Sequence, residues 1–293
     1  MIGSNLELDL VKRLEKINFK DRFLVKGIGD DCAVIKYLGD YYLLISSDVS
    51  VNKVHFDLKK DPLKFILEKA VLSSVSDILA CGGRPLYLIL SAAFPKDILK
   101  KYKEIIEILK KISKKFNLKL IGGDTSKAQT AFIDATVIGL VRKKELLLRD
   151  NVNLGDKIFV TGTLGKGKFK KWKLRYKEVE LIKKYSPKGV IDITDGLVLD
   201  LYRVLSKKKL GAYLYKENIP LFKKASLEDA LFWGEDFEIL FFLSSQKAKT
   251  FLNSEDFKKA KFSFIGEVIP EKAIYLKDKS FKKKLPIKGY LHF

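Results

Sequence analysis

The residues of this chain that can do chemistry are carboxylates set against glycines and hydroxyls. They occur as Gly27-Ile28-Gly29-Asp30-Asp31, Ser46-Ser47-Asp48, Ser76-Asp77, Gly122-Gly123-Asp124-Thr125-Ser126, Asp192-Ile193-Thr194-Asp195-Gly196 and Gly234-Glu235-Asp236. Glycine lets backbone and ligand approach closely, and adjacent aspartates repel one another unless solvent, a basic partner or a divalent cation neutralises them. Any one of these motifs alone reads as a solvated turn. Their recurrence in a chain of net charge +21 makes separate turns the poorer explanation.

With two cysteines and two histidines in the whole sequence, an oxygen-rich donor set selects a hard cation, magnesium above all, over zinc or copper. Magnesium is commonly shared with substrate phosphates, so several aspartates around one cleft point to a polyphosphate such as ATP.

The elements that must position these groups follow from periodicity and punctuation. Leu6 to Ile17 repeats apolar residues at helical spacing. Ala33–Tyr37 and Tyr41–Ser46 read as strands joined at Gly39-Asp40, the second ending at Ser46-Ser47-Asp48. Asp61-Pro62 starts a helix that runs to Gly82-Gly83. It is apolar almost all round and therefore a core helix, so Asp77 on it must be paired or metal-bound. A strand (Pro85–Phe94), a lysine-faced helix (Leu99–Phe116), a short buried strand (Leu118–Ile121) and a longer strand (Ala131–Val141) complete the first half.

The polar passage around Arg149 to Asp156 marks the expected domain boundary, giving an N-terminal domain 1–148 and a C-terminal domain 149–293. Strands at Lys157–Val160, Val190–Ile193, Phe237–Leu243 and Phe264–Val268 and a helix at Val198–Leu205 build the second α/β unit. Gly162 to Lys168 fits a P-loop except at its last position, where Phe169 replaces the magnesium-binding hydroxyl, so a P-loop is rejected. The lysine-rich run from Lys166 to Lys184 reads as exposed helix or mobile loop.

At 293 residues, two α/β domains are the expected organisation. No apolar run approaches a membrane span and the N-terminus has no signal-peptide pattern, which makes a soluble cytoplasmic protein without membrane partners the expectation. Cys32 and Cys81 read as free thiols. The positive charge is diffuse lysine with few arginines, a solvated surface and not a specific nucleic-acid interface.

The ordered set GIGDD, SSDVSVNKVHF, SVSDILACGGRP, GGDTS, RDNVNLGD, VTGTLG, DITDGL, GEDFEIL and GYLHF resembles the thiamine-monophosphate kinases, relatives of aminoimidazole ribonucleotide synthetase. The resemblance implies magnesium-dependent transfer of the ATP γ-phosphoryl onto thiamine monophosphate. It also implies an α/β fold of two α/β domains, the N-terminal sheet forming a barrel across a homodimer interface. Carried over by position, Asp30, Ser46, Ser47, Asp48, Asp77, Asp124, Asp192 and Asp195 correspond to magnesium ligands. Tyr102, Gly123, Asp124, Arg149 and Thr194 correspond to ATP contacts, and His55, Glu235 and Tyr290 to thiamine monophosphate contacts. No residue is implied as general base or nucleophile, and of the first pair Asp30 is the expected ligand, with Asp31 in support.

Two positions depart from the pattern: Trp233 stands where a glycine is usual, which would either crowd the substrate pocket or alter its specificity, and a short lysine-rich passage follows Gly165. The alternatives are an ATP-dependent cyclo-ligase like aminoimidazole ribonucleotide synthetase, and a lysine-rich nucleic-acid-binding protein.

Overall fold

In the computed structural model, residues 6–17 and 21–290 are described, without the side chains of residues 7 and 8. The first half contains α1 (Leu6–Leu14), β1 (Leu24–Lys26), β2 (Ala33–Lys36), β3 (Tyr41–Val51), α2 (Leu63–Ala80), β4 (Arg84–Phe94), α3 (Lys96–Leu99), α4 (Tyr102–Phe116), β5 (Lys119–Gly122), β6 (Thr125–Lys127) and β7 (Phe132–Arg142). The second contains β8 (Lys157–Thr161), α5 (Tyr176–Lys183), β9 (Gly189–Asp192), α6 (Leu197–Ser206), β10 (Gly211–Tyr215), α7 (Leu227–Phe232), β11 (Ile239–Leu243), α8 (Ser245–Leu252), α9 (Glu255–Lys259), β12 (Phe262–Ile269), β13 (Ile274–Lys277) and β14 (Lys282–Lys284).

Two mixed sheets result. The first runs β1-β2-β3-β7-β4-β5, with β6 also on β4, and the second β14-β13-β10-β12-β8-β11-β9. Within one chain, among the described residues, the first sheet does not close into a barrel.

The apolar character of α2 has a direct cause. It touches β3, β4 and β7 of the first sheet, β9 of the second, and α4 and α5. With Leu67, Ala70, Val71, Val75 and Ile78 all fully buried, it has no water-facing side broad enough to need charge. The second sheet alternates with period two. Phe159, Val190, Ile239 and Phe241 join the core around α2, while Ile158, Ile191, Leu240 and Phe242 face the core that includes α6.

Three sequence expectations are corrected. The strand expected to end at Asp48 continues to Val51 because β7 pairs with it from Tyr41↔Arg142 to Val51↔Phe132, so Asp48 lies inside a strand. The short buried strand expected over Leu118–Ile121 forms at Lys119–Gly122 and is exposed, since it is the edge beyond β4, whereas Leu118 just before it is buried.

The run from Lys166 is not a solvated stripe throughout. Lys166 and Arg175 are buried and both donate to the fully buried Glu238, which also accepts from Thr161 Oγ1 at 2.6 Å, and Arg175 reaches Glu178 at 3.0 Å. A buried carboxylate requires such partners, and Glu238 carried no glycine or hydroxyl signal to suggest that it would recruit them.

Candidate functional site

The cleft forms where β3, α2 and the 27–31 turn of the first half meet the end of β9 and the 233–237 loop of the second. Its volume is about 660 Å³. In the turn, Gly29 has φ +104°, and a Cβ there would lie 2.3 Å from the Glu15 carboxylate. Lys207 donates to the Gly29 carbonyl at 2.8 Å. The two aspartates that follow diverge.

Asp30 folds back: its carboxylate accepts from the Asp31 amide at 3.0 Å and the Arg149 amide at 3.2 Å, with Lys26 3.8 Å away. Burial, then the Asp31 charge, pushes Asp30 up to about 6. Asp31 pairs with the Arg149 guanidinium through Oδ1, while its buried Oδ2 has no hydrogen-bond partner.

Asp31, Asp77 and Asp192 each bring a carboxylate oxygen within 4.8 Å of the others. Three separate pieces of the fold make this convergence: the glycine turn, the C-terminal part of α2 and the end of β9. Ser46 on β3 donates to Asp77, and Ser76 on α2 donates to Asp192. Ser74 donates to Asp48 at 3.2 Å. Burial, then the charges of Asp48, Asp192 and Asp31, holds Asp77 well above the usual carboxylate range, and burial followed by Asp31 does the same to Asp192. Asp48 is also raised, chiefly by burial. Carboxylates this close are mutually destabilising unless a cation lies among them. Their hard oxygens and the unsatisfied Asp31 Oδ2 fit magnesium.

Ser47 is one residue out of phase with Ser46 and Asp48, and the pleat turns it to the other side of the strand. There it bonds Asp134 Oδ1 at 2.7 Å and Thr136 Oγ1 at 2.8 Å on β7. Asp195 pairs with Arg203, while Asp200 accepts the amides of Thr194 and Asp195, both at 3.0 Å, fixing the start of α6.

The far end of the cleft is lined by His55, Lys69, Glu235 and Tyr290. Gly234 has φ +83°, and a Cβ would meet the Thr194 carbonyl at 2.5 Å. Glu235 follows with φ 54° and donates its amide to that carbonyl at 2.6 Å. A non-glycine residue in that region costs roughly 1–3 kcal/mol and persists only where its surroundings enforce it. The Tyr290 amide donates to the Asp195 carbonyl at 2.8 Å, bringing its ring 6.2 Å from His55. The His55 Nδ1 accepts the Val51 amide at 3.0 Å. His292, in the terminal motif, lies outside the described residues.

Tyr102, Gly123 and Asp124 are not in this cleft. They line a separate hollow of about 510 Å³ with apolar walls that include Leu90, Leu109 and Leu120. Asp124 is exposed at its rim and accepts the Thr125 amide at 2.8 Å. Trp233 does not crowd the cleft: it is half-exposed at the end of α7, with the Lys168 ammonium 5.2 Å from its ring centre.

Lys69 carries no local signal among the many lysines of the sequence, and no spacing encodes the direction in which Asp31 points. Cys32 and Cys81 are free, as expected, and both are buried. No helix among the described residues is long and apolar enough to cross a membrane.

Known proteins resemble this chain in sequence and fold. Residues 29–141 match the N-terminal domain of the AIR synthase related proteins and residues 164–279 their C-terminal domain. The thiamine-monophosphate kinase of Buchnera aphidicola subsp. Acyrthosiphon pisum is 32% identical, with 98% of each chain covered. That of Pyrococcus horikoshii is 30% identical over 94% of this chain and 93% of its own. The solved structure of AaThiL complexed with AMPPCP and TMP superposes with a TM-score of 0.78 at 25% identity, over 100% of this chain and 97% of that one. Full-length similarity at this level, on a fold of two mixed-sheet α/β domains, makes the chain a member of the thiamine-monophosphate kinase family.

Proposed function

We propose that the chain transfers the γ-phosphoryl group of ATP to thiamine monophosphate, giving thiamine diphosphate and ADP. The observation that carries this reading is the meeting of Asp31, Asp77 and Asp192 from both halves of the chain, in a cleft whose other end holds His55, Glu235 and Tyr290. A solved relative carrying both AMPPCP and TMP supports the substrate pair.

Asp31, Asp77 and Asp192, with Ser46 and Asp48 beside them, would hold magnesium, and Asp195 lies at the same end. Bound there, magnesium would neutralise charge on the transferring phosphoryl group and on both phosphates. The acceptor oxygen is already ionised near neutral pH, so the protein's task is positioning, and no side chain needs to act as base. Glu235 offers a carboxylate, and the Tyr290 ring a π face, to a cationic thiazolium. Arg149 and Thr194 face the phosphates from the second half.

The second hollow suits the nucleoside: Tyr102 and the apolar wall take the base, and Gly123 admits the sugar and phosphates. Register places β6 three strands from β3, through β4 and β7. That is about 14 Å at the usual strand spacing, a span of the order that an extended ATP covers from its base to its γ-phosphate, with Asp124 and Ser47 along the way as further magnesium contacts. A homodimer joined through the open first sheet, closing a barrel, belongs to the same reading. A cytoplasmic location goes with it.

The deciding experiment incubates purified protein with ATP, magnesium chloride and thiamine monophosphate and follows thiamine diphosphate by chromatography. Stoichiometric thiamine diphosphate and ADP are expected. ADP release that is indifferent to the acceptor, or inorganic phosphate in place of a phosphorylated product, would refute the assignment.

A further inference from the structure

We infer that Lys69 is a positioning residue for the acceptor: it sets the Glu235 carboxylate and the His55 turn in the geometry that receives the organic part of thiamine monophosphate. This rests on the proposed kinase reading and adds a residue to it.

Lys69 is buried, 7% exposed, in a chain whose lysines are mostly at the surface. It lies on α2 two helical turns before Asp77, and Lys69, Ser73 and Asp77 all line the cleft. At four-residue spacing they form one stripe about 12 Å long, with the acidic end at Asp77 and the acceptor end at Lys69. Among the described residues the ammonium makes two polar contacts, both to residues that line the proposed acceptor end. It pairs with Glu235 Oε1 and donates to the His55 carbonyl at 2.6 Å. Glu235 comes from the second half of the chain and His55 from the first, so this side chain ties the two walls of the pocket together.

Three features separate positioning from ordinary core filling. A buried ammonium is costly unless its partners satisfy it, and an apolar side chain would fill the same volume more cheaply. The carboxylate it holds sits on a residue with φ 54°, whose direction the backbone alone enforces at a cost. Finally, the pair leaves Glu235 one-third exposed toward the cleft while the ammonium is almost covered. The carboxylate can therefore meet a ligand without releasing Lys69.

The test is a double-mutant cycle in the magnesium–ATP assay with Lys69→Met, Glu235→Gln and both together, and with Lys69→Arg as the conservative variant. Lys69→Met is expected to raise KM for thiamine monophosphate by about tenfold to hundredfold, the scale of a small misplacement. Its kcat should stay within roughly threefold and its KM for ATP should not change. The double variant should fall well short of the product of the two single effects, because much of what Lys69 does passes through that carboxylate and only its hold on the His55 carbonyl remains to be lost. Lys69→Arg should recover part of the loss.

An unchanged acceptor KM in folded Lys69→Met, or effects that multiply in the double variant, overturns the inference. Should Lys69→Met fail to melt cooperatively, Lys69→Gln completes the same cycle. Wild-type protein that does not phosphorylate thiamine monophosphate overturns the kinase reading itself, whereas active wild type with an indifferent Lys69 overturns only this step.

Discussion

At the scale of single residues, the turn at 27–31 assigns different work to two adjacent, chemically identical side chains. Asp30 spends its oxygens on the amides of Asp31 and Arg149, shaping the loop. Asp31 keeps a buried, unpartnered oxygen beside Asp77 and Asp192. Asp31→Asn and Asp77→Asn are therefore each expected to lower turnover by about a hundredfold or more, the usual loss on removing one charge-stabilising group, and to raise the magnesium concentration for half-maximal rate. Asp30→Asn retains an acceptor for an amide and should lose about tenfold at most while lowering the melting temperature. Magnesium titrations of the three variants decide the matter. If Asp30→Asn is as damaging as Asp31→Asn, with an equal rise in magnesium requirement, the division of labour is wrong.

At the scale of elements, the loop before β11 is held by an acid that was not legible in advance. Asp236 accepts the amides of Gly165 and Gly167 at 2.8 and 2.9 Å, yet burial outweighs these bonds and raises it to about 6. A folded-state value above the unfolded 3.8 means that the group's contribution is fully present below about pH 3.8 and is lost as pH rises through about 6. At about 1.36 kcal/mol per unit, wild type should lose roughly 3 kcal/mol relative to Asp236→Asn between pH 3.5 and pH 7. Urea melts of both proteins across that range provide the check, and a constant difference between them would show that Asp236 does not titrate as its surroundings dictate. The contrast with what the sequence did reveal is physical. The glycine–carboxylate motifs and the continuous apolar surface of residues 63–80 are local signals, so the main strands, the core helix and most acidic site residues could be read directly. Asp31, Lys69, Asp236 and Glu238 take their roles chiefly from partners 63 to 166 positions away, such as Arg175 for Glu238 and Glu235 for Lys69, and no window of sequence contains both members. Asp48 was misplaced at a strand end for the same reason: only pairing with β7 shows where β3 stops.

At the scale of the whole molecule, α2 lies between the two sheets and the core around it is continuous from Val34 and Leu88 to Phe241 and Phe251. The halves thus share one interior, and at the cleft that interior gives way to charge. The outer edge of the first sheet is built differently. Leu120 and Ile121 on β5 are 43% and 55% exposed, and Tyr102, Ile106 and Phe132 are also exposed. An apolar, unprotected edge strand invites pairing with another chain, and in a protein of net charge +21 its neighbours along the sequence keep lysines close by. A second copy covering this edge would remove the exposed apolar groups from water and would enclose the hollow that holds Tyr102, Gly123 and Asp124. Wild-type protein should therefore sediment as a dimer at micromolar concentration. Ile121→Lys, which places a charge on the edge without touching the acidic cleft, should shift it to monomer and raise KM for ATP more than KM for thiamine monophosphate, because the hollow proposed for the nucleoside would border such an interface and the acceptor end would not. A wild-type monomer, or an Ile121→Lys dimer with unaltered ATP affinity, would separate the first sheet's edge from both assembly and nucleotide binding.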